Sequence, residues 1–178
     1  VALLTVSVAL GIIGPRLRPT ARLASITTHR AASALGAALI AAHVVLAVLD
    51  AYVPLDWPAA LVPGVAAWER WGVALGALAV DLLAALLLTT IMRLRAPWAW
   101  RRVHLVAYPV WMLAVTHGLL VGSDGTAMRW LAVSAVGVVA GAVSARLLVA
   151  PRHAASPASR ELPVLADGGS LESIGGTR

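Results

Sequence analysis

The chain has no cysteine. That absence removes disulfides, iron–sulfur clusters, thiolate metal sites and covalently attached c-type haem together. A bound metal centre would have to draw on His, Asp, Glu or Met. Lysine is missing too: all 14 basic residues are arginine. With so much alanine, this reflects GC-rich coding and needs no functional cause. Charge of either sign is scarce, at 12% of residues, where a soluble domain carries about 25%. No Gly-rich phosphate loop, nucleophile elbow or Ser/His/Asp arrangement is legible, so no catalytic residues and no dehydrogenase domain are expected within this chain. What remains is 60% hydrophobic with a mean hydropathy of +0.86, the composition of an integral membrane protein. The net charge of +6 could suggest nucleic acid. The arginines, however, sit beside apolar spans, where the positive-inside rule puts them, and no nucleic-acid partner is expected.

Crossing the ~30 Å hydrocarbon core takes about 20 apolar residues. Four segments meet this requirement, near residues 28–50, 70–92, 103–122 and 127–149. A fifth, residues 1–14, is apolar but short. Its following PRLRPTAR has the wrong charge placement for a signal peptide, so it reads as the end of a spanning helix whose start is missing or short. The expected fold is an all-α polytopic transmembrane bundle of about five helices. Arg16, Arg18, Arg22 and Arg30 mark the first connection, and Arg93, Arg95, Arg101 and Arg102 the third. The second and fourth carry more acid than base or are balanced. This alternation predicts an outside N-terminus and a cytoplasmic C-terminus in the plasma membrane. Trp57, Trp68, Trp71, Trp98, Trp100 and Trp130 fall near helix ends, as an interfacial belt would. The second connection, with Pro54, Pro58 and Pro63, reads as a short turn or half-helix on the outer surface. Residues 1–150 form the membrane domain. Residues 151–178, rich in Pro, Ser, Gly and Ala without a period, read as a disordered cytoplasmic tail.

Four of the five histidines lie in two of these spans, and the fifth, His153, is in the tail. His29 and His43 share the first long span; His104 and His117 share the third. Both spans run from cytoplasm to outside. At ~1.5 Å per residue, His43 lies ~21 Å further out than His29, and His117 ~19 Å further than His104. Two levels follow: His29 with His104 inside, His43 with His117 outside. Each level offers two imidazoles to one planar object between the helices. Haem b suits this, since its iron takes two axial imidazoles and its apolar macrocycle belongs in a bundle core. Zinc wants ligands converging on one point, which pairs ~20 Å apart cannot provide. Fourteen residues at 100° each bring His43 within about 40° of His29's direction, and Gly36, midway, shares that face. Its missing side chain would let a macrocycle approach closely. Thirteen residues leave His117 about 140° from His104 on an ideal helix. Pro109, between them, is expected to kink or rewind it.

The paired segments HRAASALGAALIAAH and HLVAYPVWMLAVTH resemble the ferric reductase transmembrane domain superfamily. Its members include ferric reductases, NADPH oxidases and the haem-binding subunit of periplasmic methionine sulfoxide reductase. The local texture is similar to the bacterial single-domain members, and the likeness covers about residues 1–149. The resemblance implies six helices in the complete family fold and two non-covalent b haems on His29, His104, His43 and His117. It also implies a redox partner. The donor would be a cytoplasmic flavoprotein or membrane quinol, so flavin or quinone would enter through that partner. The acceptor would be ferric iron, a periplasmic reductase or an extracytoplasmic flavoprotein. The flavin and nicotinamide domain of the larger members has no counterpart here.

Three further features have two readings each. Arg30, Arg101 and Arg102 could pair with haem propionates or be ordinary positive-inside arginines. Asp81, mid-span, could relay protons or bond a hydroxyl such as Thr116. Trp111 lies between the two histidine levels, as an electronic bridge or as packing. The competing function is a haem-free transporter or assembly factor that uses its histidines for proton or metal relay.

Overall fold

The computed structural model describes residues 1–95 and 97–148, and every regular element among them is helical. The tail assigned to 151–178 lies outside the described residues, as does His153. The helices are α1 (Ala2–Ile13), α2 (Pro19–Leu49), α3 (Trp57–Leu61), α4 (Arg70–Ile91), α5 (Pro97–His104), α6 (Ala107–Val121) and α7 (Gly125–Leu148). Four helical stretches are long and apolar enough to cross a membrane: Pro19–Leu49, Arg70–Leu94, Trp100–Val121 and Gly125–Leu148. They match the four expected spans. Many of their Leu, Val and Trp side chains point outward, exposed. An aqueous protein would bury such a surface, but lipid solvates it.

The first long helix departs from its expected bounds. α2 begins at Pro19, nine residues earlier than the apolar run, so Arg22 and Arg30 lie on helix and not in a loop. Proline at the first helical position has the φ that a helix needs and lacks only an N–H that would have been idle. Its 31 residues extend ~46 Å, longer than a hydrocarbon core. The arginines therefore ride on the first turns without interrupting them. In the second connection, Asp56 caps the short α3 by accepting from the Ala59 N–H at 2.8 Å. The half-helix expected there is present.

The third span is interrupted. α5 ends at His104 and α6 starts at Ala107. Between them the bonding shortens to three-residue turns, Leu105 N–H to Arg102 and Val106 N–H to Val103. Proline at 109 has no N–H for the Leu105 carbonyl, four residues back, and its ring crowds that carbonyl. The break thus falls between the two histidines, where Pro109 is expected to put it.

Packing runs through α1, which lies against α2 and α7 and also touches α6; α4 packs along α6. One apolar cluster joins Val8, Ala9 and Ile12 of α1 to Trp111 and Val115 of α6 and to Ala135 and Ala142 of α7. Another joins Leu83 and Leu86 of α4 to Val110 of α6, with Ile40 of α2 packed against it. The backbone of α2, which carries His29 and His43, hardly meets those of α5 and α6, which carry His104 and His117. Side chains span the space between them.

Candidate functional site: two facing imidazole pairs

Across that space the four histidines meet in two pairs. The rings of His29 and His104 lie 6.2 Å apart, centre to centre, with planes at 71°. Those of His43 and His117 lie 6.3 Å apart at 75°. A direct N–H···N bond between imidazoles would bring the centres to about 5 Å. A metal about 2.0–2.1 Å from each of two nitrogens, with roughly 1.1 Å from nitrogen to ring centre, sets them about 6.3 Å apart. Both pairs have the spacing of two imidazoles with one metal atom between them. Among the described residues no three His, Cys, Asp or Glu converge as a chelating group.

Each pair contains one imidazole held from behind. His29 donates from Nδ1 to the Ser7 carbonyl of α1 at 2.8 Å, and the Ser7 hydroxyl lies 3.2 Å from the same nitrogen. That hydroxyl also meets Ser33 Oγ at 2.7 Å, and Ser33 donates to the His29 carbonyl at 2.7 Å. His117 donates from Nδ1 to the Gly72 carbonyl of α4 at 2.8 Å. A proton held on Nδ1 leaves Nε2 with its lone pair free, the tautomer in which a histidine ligates metal through that nitrogen.

His104 differs: its Nδ1 is buried without a partner among the described residues. Trp100, one turn earlier, lies over its ring at 5.1 Å and 31°. The indole is tethered by Nε1–H to Thr90 Oγ1 at 3.4 Å. Trp100 begins its span, but unlike the exposed Trp57, Trp68, Trp71, Trp98 and Trp130 it packs on a site ring. Its four-residue spacing from His104 placed it on the same helix face, a signal open to inspection in the sequence.

No family model matches the chain, and neither the curated proteins nor the solved structures give a match.

The remaining candidates fall as follows. Gly36 lies against α1. A Cβ there would meet Leu3 Cβ of α1 at 3.5 Å, so its bare side admits a neighbouring helix. Helical periodicity fixes which residues share a face but not which neighbour that face receives. Arg30, Arg101 and Arg102 are exposed, with the Arg102 guanidinium 6.0 Å over Trp98. Asp81 is exposed on α4 and bonds nothing among the described residues. Thr116, its expected partner, donates to its own helix at Met112. Trp111 is buried, and its Nε1–H donates to Thr5 Oγ1 at 2.9 Å. Its observed role is to pin α6 to α1.

The sequence reading missed the support for the rings. A Cβ on Gly76 would lie 2.7 Å from His117 Nδ1, and one on Gly72 would strike Val121 of α6. The run GVALG is a G-x-x-x-G, the spacing that lets two membrane helices approach closely, and could have been found by inspection. Thr5 and Ser7, polar residues in an apolar run, were an equal signal.

Proposed function

We propose that this protein is a transmembrane electron conduit that holds two b-type haems, one between His29 and His104 and one between His43 and His117. The observation that carries this reading is the pair of ring separations, 6.2 and 6.3 Å, each close to that of two axial imidazoles on one iron. Three features add support. Two of the four rings have Nδ1 committed to a backbone carbonyl, which frees Nε2. The helices that carry the pairs leave space between their backbones. The bundle presents an apolar exterior to lipid.

Haem held by His29 with His104 and by His43 with His117 would supply one-electron exchange there. The protein's own part is to hold, orient and insulate. His29 and His117 are set by Ser7 and Gly72. Ile40 and Val110 lie, in sequence, between the histidines of their spans, and the apolar cluster they form with Leu83 and Leu86 of α4 would keep water out of the middle. Arg30, Arg101 and Arg102 neighbour the inner pair in sequence and are the residues suited to propionates.

In this reading the inner level faces the cytoplasm of the plasma membrane, where a flavoprotein or quinol would deliver electrons. The outer level would pass them to an extracytoplasmic reductase, flavoprotein or ferric iron. The chain would be the membrane subunit of a reductase in the manner of the ferric reductase-like domains it resembles.

The test is the absorption spectrum of the purified protein before and after reduction. Sharp reduced bands of low-spin b haem are expected. Colourless, folded protein from haem-replete cells would sink the reading and favour a haem-free transporter or assembly factor.

A further inference from the structure

Inside a helix each carbonyl already accepts from the N–H four residues on, and its free lone pair points outward past that later residue. Because Cα–Cβ bonds tilt toward the helix N-terminus, the side chain at the later position covers the carbonyl. A donor from another helix reaches it best where that position is glycine. This happens twice. The Ser7 carbonyl stands four residues before Gly11 and accepts from His29; the Gly72 carbonyl stands four before Gly76 and accepts from His117.

The two copies differ in tightness. A Cβ on Gly76 would lie 2.7 Å from His117 Nδ1, 2.8 Å from Cε1 and 3.2 Å from Cγ, so the ring would have to shift from its seat. A Cβ on Gly11 would meet only His29 Cε1, at 3.8 Å, an ordinary contact. Neither His43 nor His104 has a carbonyl anchor among the described residues. One anchored ring thus belongs to α2 at one level and to α6 at the other.

We propose that Gly76 is a positioning residue for His117: its missing side chain opens the Gly72 carbonyl to Nδ1, which fixes the tautomer and strengthens the ring as a donor through Nε2. The Ser7–Gly11 pair is a looser copy of the same arrangement for His29. The effect on a metal rests on the haem reading, while the tautomer does not. An Nδ1–H bonded to a carbonyl makes imidazole a more basic ligand, which favours the oxidised iron. Losing that bond therefore raises the midpoint potential of the centre concerned.

The experiment compares the wild type, Gly76→Ala and, as a control away from the histidines, Gly137→Ala, where an added Cβ would meet nothing within 4 Å. Nitrogen NMR of ¹⁵N-histidine protein in the reduced state reads the tautomers, and redox titration reads the potentials. Wild type should carry Nδ1–H at both His29 and His117. Gly76→Ala should disturb the signal of His117 alone and raise one midpoint, that of the centre lost in His43→Ala. Gly137→Ala should leave both signals and both midpoints in place. A His117 Nδ1–H whose shift shows no hydrogen bond in wild type, or an Nε2–H tautomer there in haem-free protein, overturns the proposal without any variant, so a Gly76→Ala protein that failed to fold would not shelter it. An unchanged His117 signal and midpoint in folded Gly76→Ala overturns it as well, with the haem reading intact. If wild type holds no haem, the haem reading fails, and the tautomers still decide the anchor.

Discussion

The ring of His43 stands 6.3 Å from that of His117, although the two come from helices whose backbones hardly meet. The same relation recurs between His29 and His104 at 6.2 Å. Neither pair shares a helix, so each level depends on one residue from α2 and one from the α5–α6 span.

Pairing across helices makes the four histidine variants fall into two classes. His43→Ala and His117→Ala should lose the same haem and keep much of the other. His29→Ala and His104→Ala should show the complementary loss. Spectra and redox titrations of folded variants read this directly. Because bound haem would also tie the helices together, detergent-stable, monodisperse protein must be used. Matching phenotypes for His43→Ala and His104→Ala would break the two-level geometry.

Pro109 sets the relative direction of His104 and His117. With alanine there, the Leu105 carbonyl, which accepts from the Tyr108 N–H three residues on at 3.2 Å, gains a donor four residues on, and the break at Leu105–Val106 can heal into continuous helix. An ideal thirteen-residue run leaves the two rings about 140° apart, so both cannot face α2. Pro109→Ala should therefore keep its helical content by circular dichroism and lose one haem. Retention of both with an unchanged spectrum would show that the break is not what aims the rings.

The histidine levels were legible because they rest on spacing along single helices and on the arginine alternation, quantities a sequence contains outright. The four spans were legible for the same reason. What a neighbouring helix supplies was not. Gly36 shares a face with His29 and His43, yet that part of the face receives Leu3 of α1. Trp111 sits between the levels in sequence, yet its indole N–H goes to Thr5. Trp100 was read as a belt residue because its depth was visible, while its stacking on His104 was not. The short α1 is the clearest case. Length alone made it marginal, but it supplies the carbonyl behind His29 and the hydroxyl beneath Trp111.

Thr5→Val tests that role of α1 away from the histidines. The swap keeps the shape and removes the acceptor for a buried indole N–H. Leaving such a donor unsatisfied costs about 1–3 kcal/mol. Thermal or denaturant unfolding in detergent should show a loss of this size with the haem spectrum of the native state unchanged. No change in stability would mean that the Trp111–Thr5 bond does not hold α6 on α1.

Orientation rests on the arginine-rich connections. A reporter fused after Arg178 should behave as cytoplasmic, and one inserted near Gly64 as external. The reverse pattern would exchange the inner and outer assignments of the two pairs and leave the pairing itself untouched.

The number of haems bound per chain tests the two-pair arrangement most directly. Without cysteine to form thioether bonds, all haem should extract into acidified organic solvent and can be counted against protein from the same sample. Two imidazole pairs, each spaced for one iron, lead to two haems per chain. A ratio near one in fully loaded, folded protein would contradict this and leave one pair idle; a ratio of zero would remove haem from both.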